Sequence, residues 1–406
     1  MKKIYGLLLV ILFLNFSLAG PTSERPVRLG IDILAKQHTI LKGKKVGLIT
    51  NQTGLNSKFV SSADIISHIP DVKLVALFGP EHGLKGGRMG FIIEEKEKDI
   101  KVFSLYGETR RPTPEMLKGI DVLIFDIQDI GARSYTYIST MRYCMEEAAK
   151  HNIEFLVLDR PNPLGGLLVD GPVLDKNFES FVGSAPIPYV HGMTIGEIAL
   201  LLNKELDINC KLTVIKMDGW KRDMLWEDTE LPWTPTSPHI PEQDTPFFYP
   251  VTGILGELGI VNIGVGYTLP FKLVGAPWID AEKITAYINK KKLPGVYFQQ
   301  FHFTPFYGLY KGEMCNGFRI IITDKKSYKP VETCYYIIEA LLELYPENFN
   351  FSLVSHSNIK MFDNVNGSDI IRKQFQNGIK VKEIVSSYQS DLKVFLEKRK
   401  KYLLYE

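Results

Sequence analysis

Four short polar clusters hold most of the residues in this chain that could do chemistry. They are Asn51-Gln52, Glu81-His82, Asp126 with Gln128 and Asp129, and Asp159-Arg160 with Asn162. Two carboxyl groups on either side of a glycosidic bond can hydrolyse it: one gives a proton, and the other supports the positive charge growing at the anomeric carbon. Amides and guanidinium groups hydrogen-bond hydroxyls, and nearby Trp and Tyr residues offer flat faces for pyranose rings. Nucleotide chemistry would need other parts. No GxGxxG follows the first apolar strand, no GxxxxGK[ST] occurs, and Gly264-Val265-Gly266 stands late without a strand-to-helix context. The same side chains also have structural uses. Asp126 and Asp129 suit the start of a following helix, Arg160 can pair with either, His191 can orient a helix start, and Tyr137 fits a core as well as a ligand.

Each cluster directly follows a short apolar run. Val46–Ile49, Leu74–Phe78, Val122–Phe125 and Phe155–Leu158 have the length and continuity of strands buried on both faces. Ligands of open α/β sheets bind beyond the carboxyl ends of such strands. Another short strand is expected over 101–106. Helices are expected from about Ser61, after Thr113 with Pro114 at the first helical position, from about Ser134 to Lys150, and from Thr194 with a capping-box Glu197. This alternation predicts an α/β fold: a Rossmann-like, doubly wound, mostly parallel sheet over 21–270. The five prolines between 234 and 250 argue against helix there. From 271 to 406 the pattern predicts a smaller α+β domain closing a cleft, with helices near 281–291 and 331–345 and strands near 296–303 and 317–323.

The length of 406 residues suits two domains, and 45% hydrophobic content suits a sizeable core. Lys2-Lys3, an apolar run from Ile4 to Leu14, and Ser17-Leu18-Ala19 predict a signal peptide over 1–20, hence an exported, periplasmic or secreted protein with no stable membrane anchor after cleavage. Without Lys2 and Lys3, 48 − 2 = 46 basic residues balance 46 acidic ones. That balance gives no electrostatic argument for nucleic acid as a partner. Cys144, Cys210, Cys315 and Cys334 lack metal-ligand spacing and are expected as buried thiols. No metal or cofactor is expected.

Five ordered stretches resemble the bacterial exo-β-N-acetylmuramidase family, glycoside hydrolases long catalogued as a domain of unknown function. They are Gly47–Gly54, Phe78–Gly83, Phe125–Arg133, Leu158–Gly166 and His191–Glu197. The resemblance runs from about Gly30 to Tyr405. It implies a Rossmann-like domain with a smaller C-terminal domain, a site in the cleft between them, and release of N-acetylmuramic acid from the non-reducing end of peptidoglycan fragments. The implied partners are muropeptides or the MurNAc-GlcNAc disaccharide. By motif, Glu81 is the expected acid/base, with Asp170 or Asp126 as the second carboxylate; the family often has Glu where this chain has Asp170. His239 replaces a frequent Asn, and Glu257 stands in Gly256-Glu257-Leu258-Gly259, where relatives often read Glu-Gly-Thr-Asn. Substrate contacts are expected from Asn51, Gln52, His82, Gln128, Asp129, Tyr137, Asn162, His191, His239 and Glu257. Arg133 or Arg160 is expected to bind the lactyl carboxylate. The alternatives are a secreted cell-wall-binding protein without catalysis, another amidosugar hydrolase, and a peptidoglycan esterase.

Overall fold

Val122-Leu123-Ile124-Phe125 shows why the central strands form. Leu123 and Phe125 enter one hydrophobic core, and Val122 and Ile124 enter a second core on the opposite face of the sheet. A run apolar at every position is what a strand covered on both sides requires. The computed structural model describes residues 26–87, 96–97 and 100–406, so the expected signal peptide lies outside the described residues.

The strands are β1 (Lys45–Thr50), β2 (Lys73–Gly79), β3 (Lys96–Glu97), β4 (Ile100–Ser104), β5 (Val122–Asp126), β6 (Glu154–Leu158), β7 (Asp170–Val173), β8 (Pro188–Val190), β9 (Lys211–Ile215), β10 (Leu273–Ala276), β11 (Val296–Phe303) and β12 (Cys315–Ile322). The main sheet runs β3-β4-β2-β1-β5-β6-β9. Six of its strands are parallel, and β3 pairs antiparallel at one edge. Numbered among themselves, the six parallel strands take the order 3-2-1-4-5-6 of dinucleotide-binding sheets, as the doubly wound expectation requires. The first strand lacks the glycine-rich turn. It ends in Thr50-Asn51-Gln52-Thr53, and Gly47 gives close packing, since a Cβ there would meet Ile120 and Leu123 at 2.8 Å.

The expected caps are present: Thr113 accepts from the Met116 N–H, and Thr194 and Glu197 form a reciprocal capping box. The Pro-rich stretch departs from expectation. Thr245–Gly256 is a helix that tolerates Pro246 in its first turn and holds Pro250 inside. An interior proline costs about 3 kcal/mol, but Phe247, Val251, Ile254 and Leu255 are all buried on this helix, and that burial offsets the loss. It packs on the helix Pro330–Leu344. The smaller part carries the antiparallel sheet β10-β12-β11, with helices Ala281–Asn289 and Pro330–Leu344 near the expected places. All four cysteines are buried and free. Among the described residues no helix is long and apolar enough to cross a membrane.

Candidate active site

Strand β2 delivers Glu81. Pro80 stops the strand, the Gly83 N–H donates to the Pro80 carbonyl at 2.9 Å, and His82 takes a left-handed φ of 68°. Such a φ on a non-glycine residue stores strain, which folds tolerate mainly at functional sites. Thr136 stands just ahead of the helix Tyr137–Lys150, but its hydroxyl does not cap that helix. It donates instead to Glu81 Oε2 at 2.6 Å. The Tyr106 phenol lies beside Glu81 as well; burial first, and then the neighbouring carboxylate, push the phenol up to about 12. Glu81 is therefore held by one hydroxyl donor and flanked by a phenol, each from another segment.

Glu81 lines a cavity of about 430 Å³, within the usual size of small-ligand sites. Phe181, Tyr249 and Phe271 give it aromatic walls, His82 and His239 lie on its rim, and Asn364 reaches it from the smaller part. His239 Nε2 meets the Tyr307 hydroxyl at 2.8 Å. Burial, and secondarily the nearby His82, lower the pKa of His239, so it is neutral at pH 7. Glu81 is the one carboxylate lining this cavity among the described residues.

The crevice at the topological switch point, between the ends of β1 and β5, is filled by the protein itself. Arg160 bonds both oxygens of Asp126, at 2.6 and 2.9 Å, and the Leu55 carbonyl at 2.9 Å. Ser62 donates to the same carboxylate, and Asp126 is fully buried. Gln52 ties down the Pro235 and Thr236 carbonyls, and Asn51 donates to the Tyr137 hydroxyl, which donates to Thr236. Gln128 bonds the Asp129 and Pro161 carbonyls. Asp129 accepts from the Gly131 N–H and faces His191 Nε2 at 3.7 Å, while His191 Nδ1 accepts from the Met193 N–H. Asn162 bonds the Met193 carbonyl and the Leu164 N–H.

Two more expected site residues, Asp170 and Arg133, join the two parts of the molecule. Asp170 accepts from its own neighbour Gly171 and from the Val331 N–H at the start of the helix Pro330–Leu344. Burial raises its pKa against these bonds. Arg133 is 1% exposed and donates to the Pro172, Ile187 and Val365 carbonyls. Burial lowers its pKa to about 10. Tyr137 is likewise buried, 1% exposed. The structure thus brings Glu81, His82 and His239 to the cavity, and directs Asp126, Asp170, Arg133 and Arg160 into the protein's own backbone and side chains.

Glu257 follows the helix Thr245–Gly256 and lies within electrostatic reach of Tyr189 and Tyr249. Its carboxylate has no hydrogen-bond or ion-pair partner among the described residues, and burial lifts its pKa to about 7. A folded-state pKa above the ordinary 4.5 favours the protonated form. The stabilising contribution is full below about pH 4.5 and is lost as pH rises through 7. Glu257→Gln is therefore expected to stabilise the protein by about 2 kcal/mol at pH 8.5, discounted for partial exposure, and by almost nothing at pH 4. Calorimetric melting at the two pH values checks this.

Several lining residues were not anticipated from sequence. Tyr106 and Arg110 follow β4, a strand whose end is as polar as the four that drew notice. Ser134 and Thr136 lie between the Asp126 cluster and its helix, and Tyr249 sits in the Pro-rich stretch. Asn364 lies on the helix His356–Asn366, where nothing local marks it as a site residue.

Comparison with known proteins agrees with this architecture. The family models described as exo-beta-N-acetylmuramidase NamZ, N-terminal and C-terminal, match residues 46–244 and 247–405. A peptidoglycan beta-N-acetylmuramidase NamZ of Bacillus subtilis is 46% identical over 391 residues, covering 95% of this chain and 93% of that protein. Two crystal structures of DUF1343 family proteins from Bacteroides fragilis superpose on 94% of this chain and 99% of their own chains. Their TM-scores are 0.90 at 46% identity and 0.75 at 29%. With the two family models together spanning residues 46–405 and a relative of this identity over nearly its whole length, the chain belongs to the exo-β-N-acetylmuramidase NamZ family.

Proposed function

We propose that the chain is an exported exo-acting glycoside hydrolase that removes N-acetylmuramic acid from the non-reducing end of peptidoglycan fragments such as MurNAc-GlcNAc. The observation that carries this reading is Glu81: a carboxylate held by Thr136, beside Tyr106, on the wall of an aromatic-sided cavity. In its protonated form Glu81 gives its proton to the glycosidic oxygen as that oxygen's bond to the anomeric carbon breaks; water then bonds to the anomeric carbon and returns a proton to the Glu81 carboxylate. The aromatic walls hold the ring. The relative that shares 46% identity is named for activity on peptidoglycan, which supports the substrate class. Export is supported by the basic and apolar pattern of the first twenty residues. A chromogenic β-N-acetylmuraminide is expected to be cleaved, and an acetate ester of the same sugar is not. Ester cleavage without glycoside cleavage would favour an esterase; binding without either would favour a wall-binding protein.

A further inference from the structure

Arg110 and Arg111 are neighbours with opposite situations. Arg111 is neutralised by Glu146 and Glu147 and lies 4.0 Å from the Tyr143 ring centroid. Arg110 lines the Glu81 cavity with its guanidinium carbon 4.3 Å from the centre of the Phe181 ring. No carboxylate pairs with it among the described residues. The aromatic face holds the cation in place without neutralising it. Its charge and that of Glu81 both act on the Tyr106 phenol, so the two groups flank one residue of the wall. No other arginine or lysine lines this cavity among the described residues, and His239 is neutral at pH 7. Arg133 and Arg160, the two expected acid-readers, are 1% and 4% exposed and already committed to other groups.

We propose that Arg110 is the specificity-determining residue that binds the lactyl carboxylate of the muramyl unit, the group absent from N-acetylglucosamine. This rests on the glycosidase reading of the cavity. The glycosidic oxygen and the lactyl ether sit on the first and third carbons of one ring. A reader of the lactate must therefore stand about one ring's width from the proton donor, on the same cavity. A guanidinium can engage a carboxylate through two parallel N–H donors, which an ammonium cannot reproduce.

The test measures binding of free N-acetylmuramic acid and N-acetylglucosamine by calorimetry to the wild type, Arg110→Met and Arg110→Lys. Beside it runs kcat/KM on a chromogenic muraminide and its lactyl methyl ester. The Met variant should bind N-acetylmuramic acid about 30-fold more weakly, as loss of a charged hydrogen-bond pair implies. Its affinity for N-acetylglucosamine should stay within about twofold, and the Lys variant should fall between. Wild type should prefer the free acid over the ester, and the Met variant should not. Arg110 is exposed, so all variants should melt as wild type does. A loss below threefold, an equal loss for both sugars, or a wild type that shows no preference for the acid sugar would overturn the proposal. A wild type that prefers the acid sugar in binding yet cleaves no muraminide would instead sink the glycosidase reading and leave Arg110 as the acid-reader.

Discussion

Arg160→Met is expected to destabilise the protein by about 3–5 kcal/mol, because it leaves the Asp126 carboxylate buried without its countercharge. The side chain bonds both Asp126 oxygens and the Leu55 carbonyl, so three acceptors lose a donor together. Asp126→Asn/Arg160→Met should recover part of the loss, since the stranded charge is then gone. Denaturant melts of the three proteins check this. The experiment also decides the role of Asp126. A carboxylate that only fills the switch-point crevice leaves kcat per folded molecule within a few-fold in Asp126→Asn. Wild-type stability with a kcat drop of about a thousandfold would mark it instead as the second catalytic carboxylate.

The sheet was legible in the sequence because both of its faces are covered. Leu123 and Phe125 point to one core and Val122 and Ile124 to the other, which leaves no polar position to blur the run. The clustering of acids and amides at the strand ends was legible for the same reason, since polar residues return where the strands stop. What each cluster does was not. Asp126 and Glu81 are both acids just at or beyond a strand end, yet one turns inward to Arg160 and the other faces a cavity. Their direction depends on Ser62, Arg160 and Thr136, which lie 55 to 64 residues away along the chain or 34 in the case of Arg160. The helix Thr245–Gly256 was hidden by Pro250, whose local preference is overridden by burial of the surrounding apolar side chains. Arg110 was not legible because it stands beyond the end of β4 among Gly107, Glu108 and Thr109, where nothing local marks it.

The other large effect is expected at Glu81. Glu81→Gln keeps the size of the side chain and can still meet Thr136, but its amide is no acid and cannot protonate the leaving oxygen. Positioned acid/base groups contribute about 10²–10⁴ in rate, and the leaving group here is a sugar hydroxyl that leaves poorly without protonation. A drop in kcat of about a thousandfold is expected, with substrate affinity near wild type, because the aromatic walls and Arg110 are untouched. The most direct measurement follows release of free N-acetylmuramic acid from MurNAc-GlcNAc, with the wild type and Glu81→Gln at equal concentration. The structure predicts stoichiometric release by the wild type, and a variant that binds the disaccharide but releases about a thousandfold less per unit time. Release by Glu81→Gln at the wild-type rate would contradict it.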